Sequence, residues 1–319
     1  MDNLRSLDGK TALVTGGTSG IGFHTALALA RMGAVVYVTG RDESRGQEAE
    51  RQMRAAAGHE NVHFIKANAS TVGGNQRLAD CIVTFTDQLH ILVNNVGGMY
   101  NDRWATVDGY EATLAMNFVG PFALTEALLP LLRQSAPARI VNVSSAGYMM
   151  WKGDLFADVQ SRETYNASDA YSRSKYLNLL WTLALARRLE GSGIVANALH
   201  PGTAWTAMTQ SSEPRSLPAG MRRLWPLIRL LQRVGSPEKV AHTSIYLASA
   251  SEAANITGQY FESSIHPKDL GQEVIDLTKQ KKAWDLADLL VREAPTAIPC
   301  KSEPVLQPIT SELRYSIKE

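Results

Sequence analysis

The chain has 319 residues, which is long enough for one large domain with a substantial buried core. Hydrophobic residues make up 45% of the chain, charged residues make up 20%, and the formal net charge is +1. This balance is typical of a globular protein and excludes a strongly basic surface for nucleic acid, so we expect no nucleic-acid partner. The two cysteines, Cys81 and Cys300, are too few for a disulfide framework or a cysteine-based zinc site.

The start of the chain, MDNLRSLDGK, is polar and contains no apolar segment of the signal-peptide type. We find no stretch that approaches the roughly 18–20 apolar residues of a membrane-spanning helix. The sequence therefore predicts a cytoplasmic protein without a transmembrane segment.

Short apolar runs of β type alternate along the chain with longer segments of helical periodicity. The predicted strands are residues 11–15, 35–40, 62–67, 91–95, 139–145 and 194–202. The predicted helices are residues 22–33, 44–58, 74–88, 110–135 and 169–191. Nearly continuous apolar strands are typical of strands buried on both faces, and the alternation favours right-handed crossovers. We expect an α/β protein of one domain, a doubly wound parallel sheet (Rossmann fold) with helices on both faces.

This catalytic domain is expected to span residues 1–293. Within it, residues 203–235 are rich in apolar side chains and interrupted by prolines, which favours a substrate lid. Residues 221–233 of the lid also combine an apolar face with four arginines, a pattern compatible with peripheral contact with a membrane. Four prolines and a loss of periodicity predict an extended or mobile tail over residues 294–319.

The first predicted strand leads directly into the segment TGGTSGIG, residues 15–22. Gly16 permits a tight turn, Gly20 permits close approach to the backbone, and Gly22 permits close packing of the helix on the sheet. The N-terminus of the helix then favours an anion, and a dinucleotide pyrophosphate fits that place. Turn glycines without a ligand are the other interpretation.

The spacing of these glycines resembles the TGxxxGIG pattern of the short-chain dehydrogenase/reductase family. Later segments resemble the family in the same order: NNVG at 94–97, LAMNFVGPF with Asn117, VNVSS ending at Ser145, YSRSK with Tyr171 and Lys175, and HPGTAWT at 200–206. The resemblance covers about residues 8–261. The long segment between Ser145 and Tyr171 resembles the retinol-dehydrogenase-like branch, which implies a lipophilic small-molecule substrate.

The resemblance implies a set of catalytic residues and, together with the strand ends, a set of cofactor contacts. The catalytic residues are Asn117, Ser145, Tyr171 and Lys175. The cofactor contacts are Gly16, Thr18, Ser19, Gly20, Ile21, Gly22, Arg41, Asn68, Asn94, Gly97, Tyr171, Lys175, Pro201, Gly202 and Thr206. No paired histidine spacing indicates a metal site, and His200, which precedes Pro201, is expected to be structural.

Tyr171 and Lys175 lie four residues apart on a predicted helix and therefore share one face. A free phenol titrates near 10, and a nearby ammonium favours the phenolate, so we expect Lys175 to lower the pKa of Tyr171. Tyr171 then exchanges a proton with a carbonyl or alcohol oxygen, which Ser145 would hold. The resemblance implies that Asn117 anchors a proton relay on the Lys175 side.

The choice between the two nicotinamide cofactors depends on the end of the second strand. Enzymes of this architecture that prefer NAD usually carry an acid there, whereas here Arg41 comes first and Asp42 second. A guanidinium suits a 2′-phosphate, so we expect NADP(H) rather than NAD(H). The other interpretation is that Arg41 is solvated and Asp42 binds the ribose. Asn68 stands where the family often places an Asp near the adenine.

These observations predict an NADP(H)-dependent oxidoreductase that acts on a lipophilic ketone, aldehyde or secondary alcohol, with Tyr171 as general acid/base. Two other hypotheses stay open: reduction of a C=C bond in a specialised metabolite, and a non-catalytic dinucleotide-binding regulator. The protein is expected to be a monomer or a homodimer.

Overall fold

The computed structural model describes residues 6–202, 213–214, 223, 225–226 and 235–295. In these residues, seven strands form one sheet in the order β3-β2-β1-β4-β5-β6-β7. The strands are β1 (Thr11–Val14), β2 (Val35–Gly40), β3 (Val62–Lys66), β4 (Ile91–Asn94), β5 (Ala138–Val143), β6 (Ile194–His200) and β7 (Tyr260–Glu262). Every pairing between neighbouring strands is parallel, which confirms the doubly wound Rossmann architecture.

Helices connect the strands on both faces of this sheet. They are α1 (Gly20–Arg31), α2 (Glu43–Ala57), α3 (Val72–Phe85), α4 (Ala112–Leu114), α5 (Gly120–Gln134), α6 (Ala167–Arg188), α7 (Pro237–Val240), α8 (His242–Ser249), α9 (Gln272–Ile275) and α10 (Leu277–Glu293). A π-helical turn, Ala115–Val119, joins α4 to α5, and a short 3₁₀ helix, Ala146–Met150, follows β5. The strand order reverses between β1 and β4, so a crevice opens at the carboxyl ends of these two strands.

The apolar core forms two layers, one on each face of the sheet. In one layer, Trp181 of α6 is fully buried and meets the ring of Phe122 edge-on at 5.7 Å between centroids. Trp284 of α10 also packs edge-on against Phe122, at 5.0 Å between centroids, and the guanidinium of Arg188 lies 3.9 Å from the centre of the Trp284 ring. Helix α10 therefore covers α5 and α6, the helices that carry part of the site described below.

The helix that continues through the π-turn corrects one statement of the sequence analysis. Residues Ala112–Gln134 form 23 helical residues that contain an 18-residue window with a mean hydropathy of 1.4, which is long and apolar enough to cross a membrane. The sequence predicts a helix over residues 110–135 but no membrane span, because Glu126 interrupts the run of consecutive apolar residues. In the fold, 78% of its apolar window is buried, as in the core helix of a globular domain.

Two of the predicted segments fall largely outside the described residues. The lid predicted over 203–235 is represented only by residues 213–214, 223, 225–226 and 235, and Thr206 is not among them. The tail predicted over 294–319 is represented by residues 294–295. The lid, the tail and the domain limits therefore stay predictions.

Candidate active site

The glycine-rich turn between β1 and α1 forms one wall of the candidate site. Gly16 and Gly20 have φ values of +66° and +58°, a left-handed conformation that favours glycine. A Cβ on Gly22 would lie 2.4 Å from Asn95 Nδ2 and 2.5 Å from the Gly16 carbonyl oxygen, so no side chain fits there. Ser19 precedes α1 without a side-chain cap, which leaves the first N–H groups of the helix open to an anion.

A cleft of about 770 Å³ lies at the carboxyl edge of the sheet and extends from the glycine turn to α6. The structure brings most of the predicted site residues to its walls: Gly16, Thr18, Ser19, Gly20, Ile21, Gly22, Arg41, Asn68, Gly97, Ser145, Tyr171, Lys175, Pro201 and Gly202. Asn117 and Asn94 do not line the cleft. Among the described residues, no group of three or more His, Cys, Asp or Glu side chains is arranged to hold a metal ion.

The two asparagines of the NNVG segment have different environments. Asn94 is buried beneath the cleft, where its Nδ2 donates to Thr125 Oγ1 at 2.9 Å and to Asn142 Oδ1 at 2.8 Å. Asn95 lines the cleft, and its Nδ2 donates to the carbonyl oxygens of Thr15 at 2.8 Å and Gly16 at 3.3 Å. The sequence predicts Asn94 as a cofactor contact, whereas the residue that lines the cleft is Asn95. Asn95 is the first residue after β4, and the sequence carries no signal for this because the predicted strand runs through residue 95.

Ser145 and Tyr171 line the cleft and are close enough for a hydrogen bond between their side chains. Ser145 begins the short 3₁₀ helix, and its Oγ accepts a hydrogen bond from the Gly147 N–H at 3.0 Å. Burial raises the pKa of Tyr171, and a hydrogen bond from Ser145 opposes this rise. The spacing of Tyr171 and Lys175 on a helix predicts a lowered pKa for Tyr171 instead. The direction differs because the surrounding protein desolvates the phenolate more strongly than neighbouring groups stabilise it.

Lys175 lies one turn further along α6 and is 3% exposed. Its Nζ donates to the Val143 carbonyl oxygen at 2.8 Å and lies 5.9 Å from the centre of the Tyr171 ring. Burial lowers the pKa of Lys175 to about 7. The amine is therefore half protonated near neutral pH, which limits the charge that it offers to Tyr171.

Asn117 is fully buried in the π-helical turn, next to the cleft floor. Its Nδ2 donates to the Gly98 carbonyl oxygen at 2.8 Å and to Ser174 Oγ at 2.9 Å, and its Oδ1 accepts the Gly98 N–H at 2.9 Å. A Cβ on Gly97 would lie 3.1 Å from both Asn117 Oδ1 and Lys175 Nζ, so glycine keeps a gap open between them. Asn117 thus fixes the loop beside Lys175 without a direct bond to it.

Charged residues surround the other end of the cleft, after β2. Asp42 Oδ1 accepts the Arg45 N–H at 2.9 Å and caps α2, while Glu43 pairs with Lys66 at 3.2 Å. Both acids at this strand end are thereby engaged with other groups. Arg41 and Arg45 line the cleft and are exposed, and within the described part of the chain their guanidinium groups have no hydrogen-bond or ion-pair partner.

A parallel Rossmann sheet with an open helix N-terminus facing a serine, a tyrosine and a lysine is the arrangement of a nicotinamide-dependent oxidoreductase. A family model described as short chain dehydrogenase matches residues 10–216. The chain belongs to this family of oxidoreductases, whose members bind a nicotinamide dinucleotide.

Curated relatives place the chain in the retinol-dehydrogenase-like branch of the family, as expected. It is 36% identical to human retinol dehydrogenase 13 over 294 residues, which cover 91% of this chain and 87% of the relative. It is 37% identical to mouse retinol dehydrogenase 11 over 255 residues, which cover 80% and 78% of the two chains.

Solved structures support the same fold. An uncharacterised protein from Mycobacterium paratuberculosis superposes with a TM-score of 0.71 at 28% identity and covers 93% of this chain and 98% of its own. An RhlG/NADP active-site complex from Pseudomonas aeruginosa superposes with a TM-score of 0.64 at 30% identity, with coverage of 82% and 97%.

These findings overturn the predicted cytoplasmic location. That prediction depended on the claim that no segment is long and apolar enough to span a membrane, and Ala112–Gln134 contradicts the claim. The relatives are retinol dehydrogenases, and retinol is a lipophilic alcohol of the kind that dissolves in membranes. The prediction of a cytoplasmic protein is therefore wrong.

Proposed function

We propose that the protein is an NADP(H)-dependent oxidoreductase that interconverts a lipophilic carbonyl compound and its alcohol, with Tyr171 as general acid/base. The observation that carries the proposal is the meeting of Ser145, Tyr171 and Lys175 in the same cleft as the glycine turn. This juxtaposition supports a single site in which a dinucleotide and a reacting oxygen lie side by side.

The residues of the cleft fit a nicotinamide dinucleotide. The open N-terminus of α1 and the Cβ-free surface at Gly16, Gly20 and Gly22 suit the pyrophosphate. The backbone and side chain of Asn68 suit the adenine end, and Pro201 and Gly202 suit the nicotinamide end. When bound, the cofactor supplies or accepts the hydride.

The preference for NADP(H) is supported by the charges after β2. Asp42 is the residue that would otherwise bind a ribose 2′-hydroxyl, and it already caps α2. Arg41 and Arg45 line the cleft, and each guanidinium group has several N–H donors in one plane that can bind a phosphate. The bound NADP of the Pseudomonas aeruginosa structure agrees with this choice.

Proton transfer follows from the contacts around Tyr171. In reduction, the phenol gives its proton to the substrate oxygen; in oxidation, the phenolate takes the hydroxyl proton. Gly147 holds Ser145 Oγ through its N–H, which leaves the hydroxyl hydrogen to stabilise charge on Tyr171 or on the substrate oxygen. The ammonium form of Lys175 favours the phenolate as the proton leaves.

A lipophilic substrate is supported by the apolar side chains near Ser145. Met116 lines the cleft, and Met149 and Met150 follow Ser145 with 51% and 42% of their surface exposed. Exposed methionines on the segment that follows a reactive residue suit an apolar ligand of flexible shape. The retinol dehydrogenases among the relatives favour a retinoid or a long-chain aldehyde.

The proposal is tested by cofactor titration and turnover on the purified protein. We expect NADPH to bind at least tenfold more tightly than NADH, and we expect NADPH-dependent reduction of retinal or a long-chain aldehyde. Tyr171→Phe should lower kcat by about 10²–10⁴-fold without a change in the Kd for NADPH.

The matched control is Tyr246→Phe, which removes a hydroxyl from a half-buried tyrosine of α8 outside the cleft lining. It should leave kcat and the Kd for NADPH unchanged. Tighter binding of NADH would overturn the assignment of the cofactor. Full activity of Tyr171→Phe would overturn the role of the phenol.

A further inference from the structure

His200 stands at the nicotinamide end of the cleft without a role in the mechanism above. It is the last residue of β6, and its ring lines the cleft together with Tyr171 and Lys175. Its Nδ1 is buried and has no hydrogen-bond partner among the described residues. A buried ring nitrogen without a partner is costly, and such nitrogens in active sites often exchange protons with water or a neighbouring group.

The sheet register places an ion pair directly beside His200. His200 is the partner of Glu262 in the parallel pairing of β6 with β7, so the two side chains lie on the same face of the sheet. Glu262 forms an ion pair with Lys268, and about a third of each side chain remains exposed. His200 therefore stands between the cleft, which it lines, and a charged pair that is partly exposed at the protein surface.

The face of the sheet that carries His200 and Glu262 packs against α6. Tyr260 lies two residues before Glu262 on the same face, and Tyr148 packs edge-on against it at 5.5 Å. Tyr148 also meets Tyr176 of α6 at 5.7 Å. These aromatic rings pack on this face of the sheet, while the Tyr260 hydroxyl adds a second buried polar atom without a partner.

The charges that act on His200 come from both the cleft and the surface ion pair. Burial lowers the pKa of His200, Glu262 opposes this effect, and Lys175 and Lys268 add to the lowering. A neutral imidazole has one donor nitrogen and one acceptor nitrogen, so it can accept a proton on one side and release a proton on the other.

Asn117 and Lys175 each form hydrogen bonds beside the cleft that do not involve His200. The Asn117 side chain is bonded to Gly98 and Ser174, and its carbonyl oxygen accepts Asn178 Nδ2 at 2.9 Å. Lys175 Nζ donates to the Val143 oxygen, on the side of α6 that faces the sheet. Among the described residues that line the cleft with Lys175, His200 carries a buried ring nitrogen without a hydrogen-bond partner.

We propose that His200 is a positioning residue that transfers protons between the Tyr171–Lys175 pair and the Glu262–Lys268 ion pair at the surface. The proposal rests on the proposed function. In reduction, Tyr171 loses one proton to the substrate oxygen, and one proton from water replaces it through His200. The imidazole accepts one proton and releases one proton per turnover, so its own protonation is unchanged.

The kinetic test compares His200→Asn with the wild-type protein loaded with NADPH. Asparagine keeps a donor and an acceptor but does not titrate, so kcat should fall about tenfold and the solvent deuterium isotope effect should increase, while the Kd for NADPH stays constant. Imidazole added to the buffer should restore part of the kcat of His200→Ala. A purely structural role predicts neither the isotope effect nor the rescue.

The matched control is His63→Asn, which removes another histidine with a burial-lowered pKa, on β3 and outside the cleft lining. It should leave kcat and the isotope effect unchanged. Wild-type kcat in His200→Asn, together with no rescue of His200→Ala by imidazole, overturns the proposal.

A second test does not depend on turnover. In protein labelled with ¹⁵N-histidine, the ring signal that disappears in His200→Asn reports the titration of His200. Lys175→Met should move its midpoint to higher pH, and Glu262→Gln should move it to lower pH, because the removed charges have opposite signs. A midpoint that does not move in either variant overturns the proposal. Coupled titration in a protein without carbonyl reductase activity instead overturns the proposed function alone.

Discussion

Lys175 and Val143 are joined by a hydrogen bond of 2.8 Å between the amine and a strand carbonyl, which holds the amine inside the protein. Because burial lowers the pKa of Lys175 to about 7, the folded protein binds fewer protons than the unfolded chain between about pH 7 and the ordinary lysine value. The free energy of unfolding therefore contains a contribution that rises with pH across this interval. Below pH 7 both states are protonated, and the contribution is constant.

This relationship predicts the stability of Lys175→Met as a function of pH. The wild-type protein should gain stability relative to the variant above pH 7, by up to about 1.4 kcal/mol per pH unit. Urea unfolding of both proteins without cofactor, from pH 6 to pH 9, measures the difference. Lys66→Met, at a lysine with 55% of its side chain exposed, is the control and should show a constant difference. Parallel pH curves for Lys175→Met would contradict the lowered pKa.

The exposed guanidinium of Arg41 predicts a switch in cofactor preference. Arg41→Asp removes a phosphate ligand and adds repulsion, so the Kd for NADPH should rise about 10–100-fold while the Kd for NADH stays constant or falls. Fluorescence titration with each cofactor measures both constants. The control is Arg51→Asp, at an exposed arginine of α2 that pairs with Glu48. Unchanged NADPH affinity in Arg41→Asp would show that Arg41 is a solvated residue.

The absence of a side chain at Gly147 allows the Ser145 and Tyr171 side chains to keep their positions. A Cβ at this position would lie 3.2 Å from Ser145 Oγ and 3.3 Å from Tyr171 Cε1, so Gly147→Ala should displace both side chains by a few tenths of an ångström. We expect kcat to fall about tenfold with little change in the Kd for NADPH. The control is Gly271→Ala, where the backbone has a φ of −63° and the new methyl group meets nothing within 4 Å. Wild-type kcat in Gly147→Ala would show that the serine and tyrosine tolerate the methyl group.

The close packing around Gly22, in the glycine-rich turn, predicts that Gly22→Ala lowers both stability and cofactor affinity. The methyl group of Gly22→Ala would collide with Asn95 Nδ2 and with the Gly16 carbonyl oxygen, two atoms that define the turn. We expect a lower melting temperature and a Kd for NADPH raised more than tenfold, measured by thermal unfolding and by titration. A variant that keeps both values would show that α1 can shift away from the turn without loss of the site.

Much of the fold could be predicted because strands buried on both faces leave a clear apolar pattern. The predicted strand at 35–40 agrees with β2 at both ends, and the other predicted strands overlap the observed ones closely. Strand β7 was missed because three residues, Tyr260–Glu262, are too few for a periodic signal. The π-helical turn at Ala115–Val119 was also missed, because its residues have the same composition as the helix around it.

The sequence predicts which residues belong to the site much better than it predicts their burial and their pKa values. The sequence predicts Ser145, Tyr171 and Lys175 as catalytic residues, and all three line one cleft. The lowered pKa expected for Tyr171 was wrong, because spacing on a helix does not reveal how much water the fold excludes. Asn94 was chosen over Asn95 because the order of residues does not show which one lies beyond the end of β4.

Helix α10 lies far along the chain from the family match at residues 10–216, yet Trp284 packs on Phe122 and on the Arg188 guanidinium. Ala283 and Ala287 on the same helix are fully buried. A premature stop codon before residue 277 would keep every named residue of the cleft and still strip the rear surface of α6. Such a truncated product would carry an intact set of reactive groups on a helix with an uncovered apolar back. Loss of activity from a stop at that position would therefore result from the missing packing of α10 on α6. All the reactive residues named above would still be present in the truncated chain.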